Sequence, residues 1–417
     1  MSRRLAALAI VTALVVAAAT WAVVSRQQAT EADLGGTAVL PGLKDHLGDV
    51  AHIVLEAKGA KITLDRGDGG WTLAERNGYR ANANRVQTLL VTLADMVKLE
   101  PRTALPARHG ELGVDAPGPK SDATLVTLTD GKGAALARVI LGKAQTGLAG
   151  STATNTYVRL PDEPQSWLAR GSFTLDGEPA QWLDKELLVL VRERMMAARV
   201  TQADGAVLDI ARDKPTDDVF RIANLPEGRV ARTPTIAGPV ANVLGYLSAE
   251  DVRPATALDF SQGAVRSEWR TFDGLVVTAT TIEADGKVWA RLEAATDPAQ
   301  VEAAKALDKV PAPDDTNLLK DGDAVAKEAA DLSALWGGWA YALEATKARD
   351  MRTRMDDLLA PVATEAPAGT EGMPGMPGMP GMPAMPPGHP PMPGQSLPGQ
   401  PMPGQPMPGA TRNMGAP

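Results

Sequence analysis

The middle of the chain carries one order of predicted elements twice, and this repetition limits the possible folds more than any other feature. Residues 51–105 read as strand, turn, strand, a strand containing Trp, helix and strand, and residues 198–258 repeat that order. The two stretches also end alike, in Glu-Pro-Arg-Thr-Ala-Leu at 100–105 and Arg-Pro-Ala-Thr-Ala-Leu at 253–258. A duplicated, strand-rich unit is more typical of a scaffold or binding protein than of an enzyme.

The turn signals between the predicted strands favour antiparallel sheets. Lys58-Gly59, Asp204-Gly205, Asp273-Gly274 and Asp285-Gly286 each separate two short apolar runs, as in β-hairpins. Consecutive hairpins form meanders, so we expect an α+β fold and not a parallel α/β sheet. Each duplicated antiparallel unit is predicted to carry one packed helix.

The helix of the first unit follows Asn82 or Asn84, either of which is a suitable N-cap. Its apolar residues recur at helical spacing, namely Val86, Leu89, Leu90, Leu93 and Val97. Residues 236–247 take the place of this helix in the second unit. Further helices are predicted at 179–190, closing the first unit, and at 346–359, and β structure is predicted at 336–343.

The chain divides into five predicted segments. Residues 1–26 are a membrane anchor, 27–47 a juxtamembrane tether, 48–194 the first unit, and 195–360 the second unit. An acidic stretch at 297–331 interrupts the second unit as a solvated helical insertion or mobile loop. From 361 to 417 the composition collapses to Met, Pro, Gly and Gln, which cannot bury a core and predicts a disordered tail.

Residues 5–24 are apolar except for Thr12 and Thr20, and about 20 such residues span a ~30 Å hydrocarbon core. Arg3 and Arg4 predict a cytoplasmic N-terminus. The alternative is a signal peptide cleaved after the small residues Ala17-Ala18-Ala19. We favour a single-pass inner-membrane protein with a periplasmic body, because the apolar run continues past that site.

Composition excludes several classes of function. The net charge of −8 argues against nucleic-acid binding, which requires a basic surface. The chain has no cysteine, so it has no disulfide, no thiolate metal site and no cysteine nucleophile.

Several motifs together resemble the bacterial DUF4340 family, a domain of unknown function. They are Gly70-Trp71-Thr72-Leu73, the segment 109–114, Leu141-Gly142 followed by 157–159, the run Trp182-Leu183-Asp184-Lys185-Glu186-Leu187-Leu188, and Trp339-Ala340-Tyr341 leading to 357–359. At 109–114 the family's usual aromatic residue is absent, and Val114 replaces its Leu. The resemblance covers roughly residues 49–359. It implies a periplasm-facing protein linked to gliding-motility-type ABC transport systems, and it implies no catalytic residues.

No catalytic, cofactor-binding or metal-ligating set can be assembled from the residues. The histidines His46, His52, His109 and His389 lack the spacing of a helical zinc motif. We expect His52 to be a surface residue, and we favour a structural role over a site role for His109. No Gly-x-Ser-x-Gly elbow occurs.

Three other patterns have structural explanations that are stronger than their chemical ones. The run 142–147 resembles a phosphate loop, but its Lys is misplaced, and a turn at a strand end is expected. The run 65–70 resembles a calcium loop with the wrong carboxylate spacing, and a hairpin turn is expected. Asp184 and Glu186 sit close together in sequence, but docking and solvation explain them better than acid–base catalysis.

The tail carries the one sharper chemical hypothesis. Met373, Met376, Met379, Met382 and Met385 would form a stripe in a polyproline II helix, and thioethers suit Cu(I). Neighbouring Met would stand roughly 9 Å apart, so a copper site would require the chain to fold back. A passive or protein-contacting tail is the favoured interpretation.

The sequence therefore predicts a non-enzymatic, membrane-anchored periplasmic accessory or scaffold protein of an ABC-type envelope system. Its expected partner is an inner-membrane permease or auxiliary subunit, contacted through sheet edges or the groove between the two units. The alternative is a ligand-binding module for glycan or peptidoglycan fragments, with Trp167, Trp269 and Trp289 as candidate stacking residues. An envelope hydrolase is the least supported hypothesis.

Overall fold

The computed structural model describes residues 36–146, 154–173, 175, 177–311 and 317–361, which all lie in one compact unit. The predicted anchor at 5–24 and the predicted tail from 362 onward lie outside the described residues. Within the described part of the chain, no helix is long and apolar enough to cross a membrane.

The first sheet has nine antiparallel strands in the order β4-β3-β2-β1-β6-β7-β8-β9-β5. The strands are β1 Val50–Ala57, β2 Ala60–Gly67, β3 Gly70–Leu73, β4 Tyr79–Arg80, β5 Val97–Pro101, β6 Thr124–Asp130, β7 Ala135–Thr146, β8 Thr154–Arg159 and β9 Ser166–Arg170.

The second sheet also has nine antiparallel strands, in the order β10-β14-β18-β17-β16-β15-β11-β12-β13. The strands are β10 Glu186–Leu188, β11 Met195–Thr201, β12 Val207–Ala211, β13 Arg221–Ile222, β14 Leu247–Pro254, β15 Val265–Thr271, β16 Leu275–Ala284, β17 Lys287–Thr296 and β18 Trp339–Leu343. Two large antiparallel sheets with several helices make the body α+β, as the hairpin signals predict.

The two sheets share one strand order. Apart from β4 and β10, the first sheet reads β3-β2-β1-β6-β7-β8-β9-β5 and the second reads β13-β12-β11-β15-β16-β17-β18-β14. The strands at the same position of the two lists also hold the same place in the chain order of their units, so β1 corresponds to β11 and β5 to β14. The register agrees as well, since Pro101 pairs with Trp167 and Pro254 pairs with Trp339.

Seven α-helices are present in the described residues: α1 Ala83–Ala94, α2 His109–Leu112, α3 Gly238–Ala241, α4 Pro298–Ala304, α5 Gly322–Trp336, α6 Ala345–Met351 and α7 Met355–Leu358. The structure confirms α1 where the sequence predicts it. The Asn82 side chain accepts a hydrogen bond from Arg85 N and caps its first turn. The predicted apolar face, represented by Val86 and Leu93, is buried.

The predicted helix at 179–190 is wrong. A 3-10 turn at Pro179–Trp182 is followed by β10, because main-chain groups of this segment pair with both sheets. The apolar residues named for that helix are nevertheless buried, including Trp182 and Leu187. Burial alone does not distinguish a helix from a strand in a short apolar run.

The other predicted elements are present with different bounds. The helix at 236–247 is only α3 and a 3-10 turn, Val243–Gly245. The helix at 346–359 is split into α6 and α7, because Ser267 and Gln202 donate side-chain hydrogen bonds to carbonyl oxygens at 351–353. The β structure predicted at 336–343 begins only at Trp339, since Trp336 ends α5.

The acidic insertion is tied to the second sheet by a buried ionic cluster. Arg194 Nε donates to Asp273 Oδ2 at 2.7 Å, and Arg194 Nη2 donates to Glu328 Oε2 of α5 at 2.7 Å. Lys320 Nζ lies 3.0 Å from Glu328 Oε1. Helix α5 buries Val325 and Ala329, so the helical alternative is correct for this part of the insertion, but the helix is packed and not solvated.

Candidate functional site: the cleft between the two sheets

One segment of chain joins the edges of the two sheets. Ala81 forms an antiparallel bridge with Leu183, and Asn82 N donates to Trp182 O at 2.8 Å. A few residues later β10 pairs with β14, where Ala249 N donates to Lys185 O at 2.8 Å. The segment therefore continues the first sheet into the second through main-chain hydrogen bonds.

Side chains close the contact beneath this segment. Arg76 donates to both carboxylate oxygens of Asp251, with Nε to Oδ1 at 2.6 Å and Nη2 to Oδ2 at 3.2 Å. Both side chains are largely buried, and the bidentate geometry suits a guanidinium–carboxylate pair. This pair ties the first sheet to β14 of the second.

Three aromatic rings pack beside the ion pair. The ring centre of Tyr79 lies 5.0 Å from that of Trp339 and 6.1 Å from that of Tyr341, both edge to face. Burial raises the pKa of both tyrosine hydroxyls. The two buried hydroxyls interact with each other, so the contact is closed to solvent. The groove predicted between the units is sealed at this level.

Above the sealed contact the groove opens into a cleft of about 500 Å³, lined by Asn82, Arg85, Gln181, Asp184, Glu186 and Tyr246. Arg80 pairs with Asp184 at 3.2 Å and donates from Nη2 to Glu186 O at 2.9 Å, which holds the wall of the cleft in place. The Arg85 guanidinium lies 4.9 Å from the centre of the Trp182 ring. The cleft thus offers fixed groups of both charges.

Apolar side chains are exposed next to the cleft. Tyr246 is 54% exposed, and Val189 and Val191 are also exposed. Leu190 N donates to Leu244 O at 3.1 Å, which brings the chain around the valines next to the chain that carries Tyr246. An exposed aromatic residue with neighbouring aliphatic groups and a polar rim is typical of a protein-binding surface.

Sequence reasoning did not identify Tyr246, Arg76 or Asp251. Arg76 and Asp251 lie far apart in the chain, and only the junction brings them together. Asp184 and Glu186, which the sequence singled out, do line one cleft, but on an extended segment and not on a helix.

Each histidine that the structure describes lies within hydrogen-bonding distance of a carboxylate or a main-chain oxygen. His46 lies 2.9 Å from Asp49 Oδ2, and His52 lies 2.7 Å from Asp65 Oδ1. His109 is buried, and its Nε2 lies 2.9 Å from Pro164 O. No group of three or more possible metal ligands occurs among the residues that the structure describes. His389 and the methionine stripe at 373–385 lie outside these residues.

The two loop-like motifs belong to the first sheet. The run 65–70 is the β2–β3 hairpin, closed by the pair Gly67 and Gly70, as predicted. The described part of the run, 142–146, forms the last five residues of β7, so it lies at a strand end as predicted but is strand and not turn. Gly142 is needed there because a Cβ would lie 2.7 Å from Val114 Cγ1.

The candidate glycan-stacking tryptophans do not form a surface. Trp269 and Trp289 are fully buried, and their Nε1 groups donate to the main-chain oxygens of Val240 and Ala284. Trp167 is half-buried, and Lys98 Nζ covers its ring at 4.7 Å from the centre. Stacking of a sugar on Trp269 or Trp289 would require the core to open.

Comparison with known proteins agrees with the family resemblance and adds no activity. No curated protein and no solved structure matches the chain. Residues 71–260, which span the cleft and both sides of the junction, match the family model described as Domain of unknown function (DUF4340), and this match supports the family seen in the motifs.

Proposed function

We propose that the protein is a non-enzymatic accessory or scaffold subunit of an ABC-type envelope transport system. Residues 5–24 would anchor it in the inner membrane, and the duplicated α+β body would lie in the periplasm. It acts by binding a membrane protein partner at the cleft between the sheets.

The exposed aromatic and aliphatic side chains at the cleft carry this proposal. Tyr246 lines a cleft whose two sides are held together, because the Arg76–Asp251 pair and the edge-to-face contact of Tyr79 with Trp339 join the two sheets. Fixed walls lower the entropy cost of binding, and a large aromatic residue in an interface often contributes much of the binding energy. The charged wall, with Asp184 and Lys185, supplies specificity.

Photo-crosslinking in membranes tests this proposal. We expect a photoreactive phenylalanine at position 246 of the full chain to form adducts with a multi-pass permease. The same group at Leu105, another exposed apolar position, is the matched control and should form none. Tyr246→Ala should reduce permease recovery roughly tenfold, which corresponds to ~1.4 kcal/mol. Equal adducts from both positions, or adducts with no membrane protein, would contradict the proposal.

A further inference from the structure

The contact between the two sheets has a counterpart at the other end of the body, where no described residue of the same chain covers the loop. In the first sheet, Ala81 bridges Leu183, and the loop before it, residues 74–80, packs on β14 and β18. In the second sheet, Ala231 bridges Leu359 in the same way, and Ala360 N donates to Val230 O at 2.8 Å. The second loop, residues 223–230, therefore stands where the first loop makes its contact.

Exposure differs sharply between the two loops. Tyr79 of the first loop is only 3% exposed, because Trp339 and Tyr341 cover it. In the second loop Val230, the counterpart of the half-buried Arg80, is 62% exposed, and Leu225 and Glu227 are exposed too, while Arg229, the counterpart of Tyr79, is half-buried. We call residues 225–230 the open loop.

The first sheet carries a surface equivalent to the one on β14 and β18 that the first loop contacts. Trp167 occupies the register position of Trp339, since each pairs with the Pro that ends its neighbouring strand. Lys98 precedes Pro101 by the sequence spacing at which Asp251 precedes Pro254, although a bulge between Lys98 and Glu100 shifts Lys98 by one pairing position. Lys98 Nζ lies over the Trp167 ring, so both side chains belong to one surface, which we call the outer face.

Opposite charges are present at the open ends as well, with their signs exchanged between loop and strand. In the internal contact a cation on the loop, Arg76, meets an anion on the strand, Asp251. At the open ends, the loop offers Glu227, which precedes Gly228 as Asn77 precedes Gly78 and so lies one position past the counterpart of Arg76, and the outer face offers Lys98. Arg229 follows Gly228 as Tyr79 follows Gly78, and its Nη2 donates to Ala360 O at 3.3 Å, so its guanidinium lies at the end of the open loop, where it can stack on an indole ring of a second copy.

We propose that copies of this chain associate head to tail, with the open loop of one copy on the outer face of the next. Glu227 pairs with Lys98, Arg229 packs on Trp167, and the exposed apolar side chains of Leu225 and Val230 lose water. Such a contact is heterologous, so it builds rows or closed rings instead of a twofold dimer. This contact uses neither Tyr246 nor the cleft, so it can be tested independently of the proposed transport partner.

Cysteine crosslinking of the full chain tests the geometry, because the natural sequence has no cysteine to interfere. A tagged Glu227→Cys chain is mixed with an untagged Lys98→Cys chain under mild oxidation. We expect this mixture to yield about ten times more mixed disulfide dimer than a control mixture. The control combines Glu227→Cys with Lys132→Cys, since Lys132 is an exposed turn residue. Equal yields in both mixtures would overturn the proposal.

Sedimentation of charge-reversed chains supplies the second test. Glu227→Lys and Lys98→Glu should each weaken self-association by about tenfold, through like charges, and an equimolar mixture of the two should restore it. Lys132→Glu should leave association unchanged. A natural chain that stays monomeric at about 100 μM, or a mixture no stronger than either variant alone, would overturn the proposal.

Discussion

Replacing Asp273 by Asn tests how firmly the buried ionic cluster holds the second sheet to its insertion. The Asp273 side chain is fully buried and accepts four hydrogen bonds. Arg194 donates twice, at 2.7 and 3.3 Å, Thr271 Oγ1 donates at 2.5 Å, and Lys320 N donates at 3.0 Å. Asparagine keeps the shape and one acceptor but removes the charge that faces Arg194.

The expected cost follows from what remains after the change. Loss of one partner from a buried ion pair typically destabilises a protein by about 3–5 kcal/mol. Glu328 still neutralises Arg194 through bonds of 3.0 and 2.7 Å, so the low end applies, about 3 kcal/mol. The matched control is Asp209→Asn, which breaks the exposed pair with Arg199 and should cost less than about 1 kcal/mol.

Urea unfolding followed by tryptophan fluorescence measures both variants, since Trp269, Trp289 and Trp336 are buried in the second half. We expect Asp273→Asn to lower the transition midpoint at an unchanged slope. If Asp273→Asn costs no more than Asp209→Asn, the cluster is not desolvated in solution, and the account of how the insertion is held is wrong.

Two further predictions concern the same body. Burial raises the pKa of Glu328, but hydrogen bonds from Arg194 and Lys320 lower it more, so the net pKa lies below its usual value. A carboxyl with a lowered folded pKa contributes stability above its unfolded pKa of about 4.3 and loses it as pH falls through the folded value. Glu328→Gln should therefore lower the free energy of unfolding at pH ~7 and matter less at pH ~3, and a constant difference across urea curves at both pH values would contradict this. Gly142→Ala should cost about 1–3 kcal/mol, because the new Cβ would collide with the Leu112 carbonyl, whereas Gly131→Ala has room; equal thermal midpoints for the two variants would refute the packing argument.

Local turn chemistry explains which parts of the fold were predictable. Asp285 and Gly286 both have positive φ, at 52° and 72°, and Gly205 and Gly274 do as well. These residues determine where a strand reverses, whatever surrounds them, so the hairpins at these points could be identified from sequence. Helix α1 was predictable for a similar reason, because its cap and its apolar spacing lie within one short segment.

The segment 179–190 shows where such reasoning fails. Its apolar residues suit a helix or a strand equally, and its main chain is extended only because the edges of both sheets offer hydrogen-bonding groups to it. The cleft depends on that same segment. Neither Tyr246 nor the Arg76–Asp251 pair could be assigned to a site before the two edges were placed side by side.

The sequence by itself determined the repeated order of elements, the hairpin positions, the antiparallel α+β class and the family motifs, because each depends on residues close together in the chain. Only the tertiary structure decided which strands lie at the edges, which tryptophans are core, and which of two equivalent loops is covered. Those outcomes depend on contacts between distant segments, such as Tyr79 with Trp339, and no local pattern encodes the presence or absence of a neighbour.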